Sequence, residues 1–369
     1  MSTAAVFGAS GLVGSRVAAT LAQVPEITSI HLFDLDPTRL DVEAMDVAMF
    51  AEKMRPQSIT VATHVVDMRN VDALAAAIDA IEPDVMLNAA IPRNWYSFPA
   101  RFDPQVWRKL NLEAKMGPWL PLFLVLPMKL MQARRAAGST SAVVQISYPD
   151  AVNATLAAVG LTPDAGCGNS QNINTVMRVV AGRQCGVPVR DVTVQLVANH
   201  FHAWALAADA PEMAERPMYF RIFIGQQDVT KTLDGPAYWD EVRRLYPRQR
   251  PAFAATSAVQ NAVKLIRDDR TTGHVNSPGG LIGGVEARLG RGFVELVWPD
   301  GITAEEGLAL LAKAQQGDGI AGIGPNGDVT FVPECADAMR KYLGYDCDTL
   351  PFDEVEACAD ELIARLPAR

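Results

Sequence analysis

The first fourteen residues constrain this chain more than any later stretch. Val6-Phe7-Gly8-Ala9-Ser10-Gly11-Leu12-Val13-Gly14 is a Gly-x-x-Gly-x-x-Gly turn set between an apolar run, Ala4 to Phe7, and a segment, Val13 to Gln23, whose apolar residues recur at three and four. Glycines suit such a strand-to-helix turn because the chain turns tightly and its backbone must approach a pyrophosphate, whose charge then sits on the free N–H groups of the helix N-terminus. The next apolar run, Ile30-His31-Leu32-Phe33, ends in Asp34, twenty residues after Gly14. An acid there accepts from both ribose hydroxyls of an adenosine and repels a 2′-phosphate, so NAD is expected rather than NADP, although Arg39 nearby would tolerate a phosphate. A glycine turn without a ligand is the alternative. The expected cofactor contacts are Gly8, Ser10, Gly11, Leu12, Val13, Gly14 and Asp34, joined by Asn88, Ala89 and Ala90 after the fourth strand and by Ser147.

Around that turn, strand-like and helix-like runs alternate, the pattern of a parallel sheet with crossover helices. Strands are expected at Ala4 to Phe7, Ser29 to Phe33, Ile59 to Val66, Asp84 to Asn88 and Ala142 to Ser147. Helices are expected at Val13 to Gln23, Pro37 to Lys53, Val71 to Ile81 and Asn111 to Ala137. The fold class is therefore α/β: a doubly wound Rossmann sheet over 1–150, followed over 151–369 by a mixed α/β catalytic domain. In the second half, helices are expected at about Asn172 to Gln184 and Ala255 to Arg267, and strands at Val192 to Ala198, Met218 to Ile224 and within Gly273 to Trp298. Helical patterns at Ala304 to Ala314, Glu334 to Leu343 and Phe352 to Leu366 make up a tail, about 299–369, that either covers a cleft or forms a subunit interface.

Composition narrows the function classes. A chain of 369 residues with 49% hydrophobic residues is no disordered segment, and 42 Asp+Glu against 33 Lys+Arg, a net charge of −9, argues against a dedicated nucleic-acid binder. The expected partner is a small diffusible substrate. Five scattered cysteines without a Cys-x-x-Cys pair indicate neither a disulfide framework nor a zinc ribbon and fit the cytoplasm, and no secretory leader is expected at the N-terminus. Trp119 to Met131, the most apolar stretch, carries Pro121, Pro127 and Lys129 and is too short to span a membrane, so it reads as a buried helix.

Several dehydrogenase classes share the expected fold. None of the seven tyrosines has Lys four residues on, which removes the Tyr-x-x-x-Lys acid/base pair of short-chain reductases. The order of segments instead resembles the lactate/malate dehydrogenase-like superfamily, which also includes NAD- and metal-dependent glycosidases. Gly8 to Gly14 is similar to the malate dehydrogenase turn, and Glu43-Ala-Met-Asp46 to the acidic segment after the second strand. Asn88-Ala-Ala-Ile-Pro-Arg93, Arg101 and Asn111 follow the order of the active-site loop and the helix after it, and Ser147-Tyr148-Pro149 stands at Ser-Asn-Pro. Asn199-His200 falls at the catalytic histidine, Ala255-Thr256-Ser257-Ala258 opens a helix like the one over the cofactor, and Gly292 to Leu296 is similar to a late strand. The resemblance implies His200 as acid/base with Asn199, Arg93 and Arg101 beside it, and a homodimer or homotetramer. It also has gaps. The family's Asp that orients the histidine and its Arg that forks onto a substrate carboxylate fall near Ile173 and Val176, Arg178 points elsewhere on the helix, and Tyr148 replaces an Asn. A neutral or polyhydroxylated substrate is therefore expected rather than malate or lactate.

The glycosidase branch supplies a rival. Cys167, in Ala165-Gly166-Cys167-Gly168-Asn169-Ser170-Gln171, and His200, before Phe201-His202-Ala203-Trp204, stand where those enzymes bind a divalent metal such as Mn²⁺ or Zn²⁺. On that reading NAD would act by transient oxidation in a glycosidase or lyase; a third reading keeps NAD binding without chemistry. Asn169, Gln171, Asn172 and Asn174 form an amide-rich run that either reads sugar hydroxyls or caps a helix. His202 is expected to be structural, and His31, His64 and His274 to lack partners.

Overall fold

The computed structural model describes residues 2–208, 210–246 and 251–367. Nine strands among them form one sheet, in the order Phe293–Val297, Gly284–Gly290, Thr272–Asn276, Ala165–Gly166, Ala142–Gln145, Val85–Asn88, Ser2–Phe7, Ile27–Asp34, Thr60–Val65. Neighbours from Ala165–Gly166 to Thr60–Val65 pair in parallel, and the three strands at the other edge are antiparallel. Read along the chain, the parallel strands lie in the order 3-2-1-4-5-6, the doubly wound arrangement expected. Successive connections leave in opposite directions between the first and fourth strands, and a crevice opens beyond their C-terminal ends. The same sheet takes strands from both sides of residue 150.

Local chemistry explains the elements that border the crevice. Ala4, Ala5, Val6 and Phe7 are buried without alternation, because helices cover both faces of a parallel sheet. Asp36 accepts from the Thr38 and Arg39 N–H groups and Pro37 occupies the first turn, so Pro37–Met54 starts just beyond Asp34. Asn70 caps Val71–Ile81 in the same way, through the Ala73 N–H.

The single helix expected from Asn111 to Ala137 is two helices, Pro104–Ala114 and Leu120–Ala136. Lys115, at φ 57°, and the 3-10 turn Gly117–Trp119 separate them. The break has a tertiary cause that local periodicity does not carry. The Met116 and Gly117 N–H groups donate to the Asp318 carbonyl at 3.2 and 2.7 Å, and a Cβ on Gly117 would stand 2.7 Å from the Gly319 carbonyl carbon. Leu120–Ala136 is buried along most of its length, as its composition predicts. Helices Pro149–Ala158, His200–Ala208 and Pro236–Leu245 add to the expected set, and His200 is the first residue of its helix.

A separate sheet, Val192–Val197, Tyr219–Ile224 and Gln227–Asp228, carries the chain to His200. The tail folds as Ala304–Gly317, the small sheet Ile320–Ile323, Val329–Phe331 and Thr349–Leu350, and helices Pro333–Leu343 and Val355–Arg365. Its Phe331, Met339, Tyr345, Val355 and Leu362 share one buried cluster with Phe7, Leu120 and Tyr148. Burying such side chains contributes about 1.5–3 kcal/mol each. Partly exposed ion pairs that also join the tail, such as Lys129–Glu356, contribute about 1 kcal/mol or less. Apolar burial therefore fixes the tail against the crevice. Among the described residues, no helix is long and apolar enough to cross a membrane.

Candidate active site

The crevice is a cavity of about 1170 Å³ that runs from the glycine turn to His200. At its first end the three glycines have different reasons. A Cβ on Gly14 would lie 2.0 Å from the Gly8 carbonyl oxygen, and one on Gly8, at φ 74°, would lie 2.7 Å from the Ala90 Cα. Gly11 lines the cavity, and its Cβ would meet only the Gly8 oxygen, at 3.1 Å. The turn feeds helix Gly14–Leu21, whose N-terminus has no side-chain cap. No side chain competes with an anion there, although the Ser15 N–H already donates to the Gly11 carbonyl at 3.0 Å. Asp34 fixes the turn by accepting from the Ser10 N–H at 2.9 Å and the Leu35 N–H at 2.7 Å, and Arg39 donates to the Ser10 carbonyl. The Ser10 hydroxyl is buried without a partner among the described residues.

Gly8, Gly11, Leu12, Val13, Asp34, Ala89, Ala90 and Ser147 all border this cavity, as expected of cofactor contacts. Asn88 does not. Its wholly buried amide donates to Gln145 Oε1 at 2.8 Å and accepts from the Ala90 N–H at 3.1 Å. Asn88 thus shapes the loop that meets the cleft, a correction to its expected contact. Ser10 and Gly14 likewise form the turn from behind the lining.

At the other end His200 opens its helix with 19% of its side chain exposed, and its Nδ1 lies 2.8 Å from both carboxylate oxygens of Asp318. Asp318 also accepts from the Tyr148 hydroxyl at 2.6 Å. Behind the ring, the His200 backbone N–H donates to Asp150 Oδ2 at 2.7 Å, and Asp150 Oδ1 accepts from Asn276 at 3.0 Å. Burial works against a charged imidazole, but the charge and hydrogen bond of Asp318, with Asp150 behind them, outweigh it and raise the His200 pKa. Burial pushes Asp150 up to about 6, against the opposing bond from Asn276, and holds the Tyr148 phenol well above its ordinary value. His200 can therefore take or release a proton at the cleft while Tyr148 only donates.

Sequence reasoning missed Asp318. The role that fell on Ile173 is filled from the tail, at Gly317-Asp318-Gly319; an acid between two glycines at a helix end was the available signal. Ile173 and Val176 are buried in the cluster beneath the second sheet and carry no cleft chemistry.

The other expected residues separate. Arg93 lines the cavity, whereas Arg101 lies outside its lining and donates to the Pro367 carbonyl at 3.1 Å, so the structure does not bring the two together at the cleft. Asn199 also turns inward: its amide donates to the Ile282 carbonyl at 2.6 Å and accepts from the Phe201 N–H at 2.9 Å. It caps the helix that presents His200 and is not part of the cavity lining. Asn169 and Asn172 line the cleft, while Gln171 bonds Asn261 and Asn174 bonds the Val194 carbonyl, so the amide run is half site and half scaffold. His202 is structural as expected, accepting from the Asn199 N–H while its other ring nitrogen bonds the Arg216 carbonyl. The remaining histidines do have partners: His31 bonds and stacks on His64, and His274 bonds Ser170.

The expected metal pair is not supported. Cys167 borders the cavity, but burial pushes its thiol strongly up, away from the thiolate a metal needs, and it lies 3.5 Å from the Ala254 carbonyl as a donor. Among the described residues, no three His, Cys, Asp or Glu side chains gather as a metal would require.

No protein-family model and no curated protein sequence matches the chain. Solved structures do. A lactate dehydrogenase from a Medee basin deep-sea metagenome library is 11% identical at a TM-score of 0.58, covering 85% of this chain and 96% of its own. Malate dehydrogenase from Salinibacter ruber is 14% identical at 0.55, covering 85% and 95%. Lactate dehydrogenase from Cryptosporidium parvum, complexed with lactic acid and nicotinamide adenine dinucleotide, is 15% identical at 0.56, covering 85% and 94%. At such identities the likeness is one of architecture: the chain has the lactate/malate dehydrogenase-like fold.

Proposed function

We propose that this protein is an NAD-dependent oxidoreductase acting on a secondary alcohol or carbonyl of a small substrate, with His200 as acid and base. The observation that carries the reading is the His200–Asp318 pair opening into the same cavity as the glycine turn. The turn suits the dinucleotide on its own geometry: an uncapped helix N-terminus for the pyrophosphate, a Gly11 face without Cβ and Asp34 at the strand end. Gly11, Leu12 and Val13 would hold the pyrophosphate and Asp34 the adenosine ribose, with Ala89, Ala90 and Ser147 along the remainder. When bound, the nicotinamide supplies or accepts the hydride.

The chain's own groups handle the proton. Neutral His200 takes the proton of a substrate hydroxyl; protonated His200 returns it to a carbonyl oxygen. Asp318 fixes the ring and favours its charged form. Arg93 is the cation at the cleft suited to polarise a carbonyl. Asn169 and Asn172 offer amides to hydroxyl groups, and the position of the family's carboxylate-binding arginine is a buried valine, Val176. Lys115, also at the cleft, already has Glu212 at 3.6 Å and the Trp204 ring at 4.1 Å. The substrate favoured is therefore neutral or polyhydroxylated.

A panel of hydroxy acids, sugars and polyols with NAD, and the matching carbonyls with NADH, tests this reading. Turnover of a polyol or neutral carbinol is expected. Ordinary turnover of malate or lactate would sink the substrate assignment, and full activity in His200→Ala would sink the mechanism.

A further inference from the structure

Residues 148–150 meet His200 on two sides. Tyr148 reaches its imidazole through Asp318, and Asp150 accepts from its backbone N–H. Tyr148 stands at φ 48° and ψ 51°, a left-handed conformation that is unfavourable for an aromatic residue, immediately before Pro149. Its ring meets the His200 ring edge-on, with centroids 4.9 Å apart. The side chain is buried, so the phenol relies on the protein for an acceptor, and it finds Asp318 at 2.6 Å. The same oxygen, Asp318 Oδ2, lies 2.8 Å from His200 Nδ1. One carboxylate thus serves two donors.

We infer that Tyr148 is a positioning residue whose hydroxyl, by sharing Asp318 with His200, limits how tightly the imidazole holds its proton. For its functional meaning this rests on His200 being the acid and base. A phenol that donates to a carboxylate occupies part of the charge that would otherwise stabilise an imidazolium. The titratable groups around the pair come from five elements: Asp150 on Pro149–Ala158, Asp318 after Ala304–Gly317, Cys335 on Pro333–Leu343, Lys115 at the end of Pro104–Ala114, and His202 on the helix that His200 opens. Among the described residues, the side chain that donates to this carboxylate beside the imidazole itself is Tyr148, and it carries no charge. The strained tyrosine and the carboxylate supplied from the tail therefore form one device. The resemblance to dehydrogenases places an Asn at position 148, which is too short to offer a ring to His200 and a hydroxyl beyond it.

The test is the imidazole titration of His200, followed by NMR in the full-length protein without cofactor and assigned by the signal lost in His200→Gln. Tyr148→Phe, which removes one hydroxyl and keeps the ring, is expected to raise the midpoint by about one pH unit. Asp318→Asn is expected to lower it. An unchanged or lowered midpoint in Tyr148→Phe overturns the inference. Should that variant not fold, 3-fluorotyrosine labelling of the unmutated chain supplies a second measurement: a more acidic phenol donates more strongly, so the midpoint should fall, and no fall overturns the inference. Because neither cofactor nor substrate is present, an unmoved midpoint in a protein that turns over NADH defeats this inference alone. A moved midpoint in a protein without turnover supports it and defeats the hydride-transfer reading.

Discussion

The two ends of the cleft are assembled over very different lengths of chain. At the glycine turn, the hydrogen bond that fixes the loop joins Ser10 to Asp34, 24 residues away. At the other end His200 bonds Asp318, 118 residues away, and Tyr148 reaches the same carboxylate across 170. The first end is specified largely by its own backbone, because Gly14 admits no Cβ beside the Gly8 carbonyl whatever else is bound, while Gly8 meets the Ala90 backbone at the end of the fourth strand. The second exists only when the tail has docked and its Phe331, Tyr345 and Leu362 have been buried. Cofactor binding and proton transfer should therefore be separable properties of this protein.

The largest effect expected is at the long-range end. His200→Gln should lower the rate of hydride transfer by about 10³-fold, within the 10²–10⁴ that a positioned acid/base supplies, and leave the NADH dissociation constant unchanged. Single-turnover fluorescence reads both quantities. A parallel loss of NADH affinity would break the separation. At the short-range end, two alanines sharpen it from inside one turn. Gly14→Ala forces a Cβ to 2.0 Å from the Gly8 oxygen and should destabilise the fold by about 3 kcal/mol, read by urea denaturation. Gly11→Ala, whose Cβ meets one oxygen at 3.1 Å, should leave stability within about 1 kcal/mol but weaken NADH binding about tenfold, read by titration. Equal destabilisation by the two would mean that Gly11 also serves only the turn.

The same contrast explains what could be read in the chain beforehand. The first, fourth and fifth strands are legible because burial on both faces makes Ala4 to Phe7, Val85 to Leu87 and Ala142 to Val144 continuous apolar runs, whereas Thr60–Val65, at the edge of the sheet, is largely exposed; Gly14 answers to a neighbour close in sequence, the Gly8 carbonyl. Ala89, Ala90 and Ser147 followed from strand ends, but Asn88 did not, since its amide turns back to Gln145. His200 was legible as the end of a strand. Its partner was not, because Asp318 lies in the tail, 118 residues further on, and only docking brings it to the imidazole. The break at Lys115 failed for the same reason: Asp318 imposes it through the Met116 and Gly117 N–H groups. Arg101 and Asn199 were of the right type in the right neighbourhood. Their directions were decided by acceptors at Pro367 and Ile282.

The last expected effect concerns Asp150, and it tests whether the long-range end carries a cost in stability. Asp150 is buried and its pKa is pushed up from 3.8 to about 6, first by burial. Between those values the folded chain keeps a proton that the unfolded chain has released. Stability therefore falls as the pH rises through this window, and the loss levels off above it. A shift of this size makes the fold about 2 kcal/mol less stable at pH 7.5 than at pH 4 through this group alone. The raised pKa of His200 acts in the same direction at higher pH, its contribution being lost as pH rises through the folded value. Exposed carboxylates with lowered values, such as Asp269 and Glu306, act in the opposite sense as pH falls, and are present in wild type and variant alike. They cancel in a difference. Asp150→Asn should accordingly show a flatter profile than the wild type, by about 2 kcal/mol between pH 4 and 7.5 in urea denaturation, whatever its stability at pH 4. Parallel profiles would mean that Asp150 titrates like an exposed carboxylate, and that the acid beneath His200 costs the fold nothing.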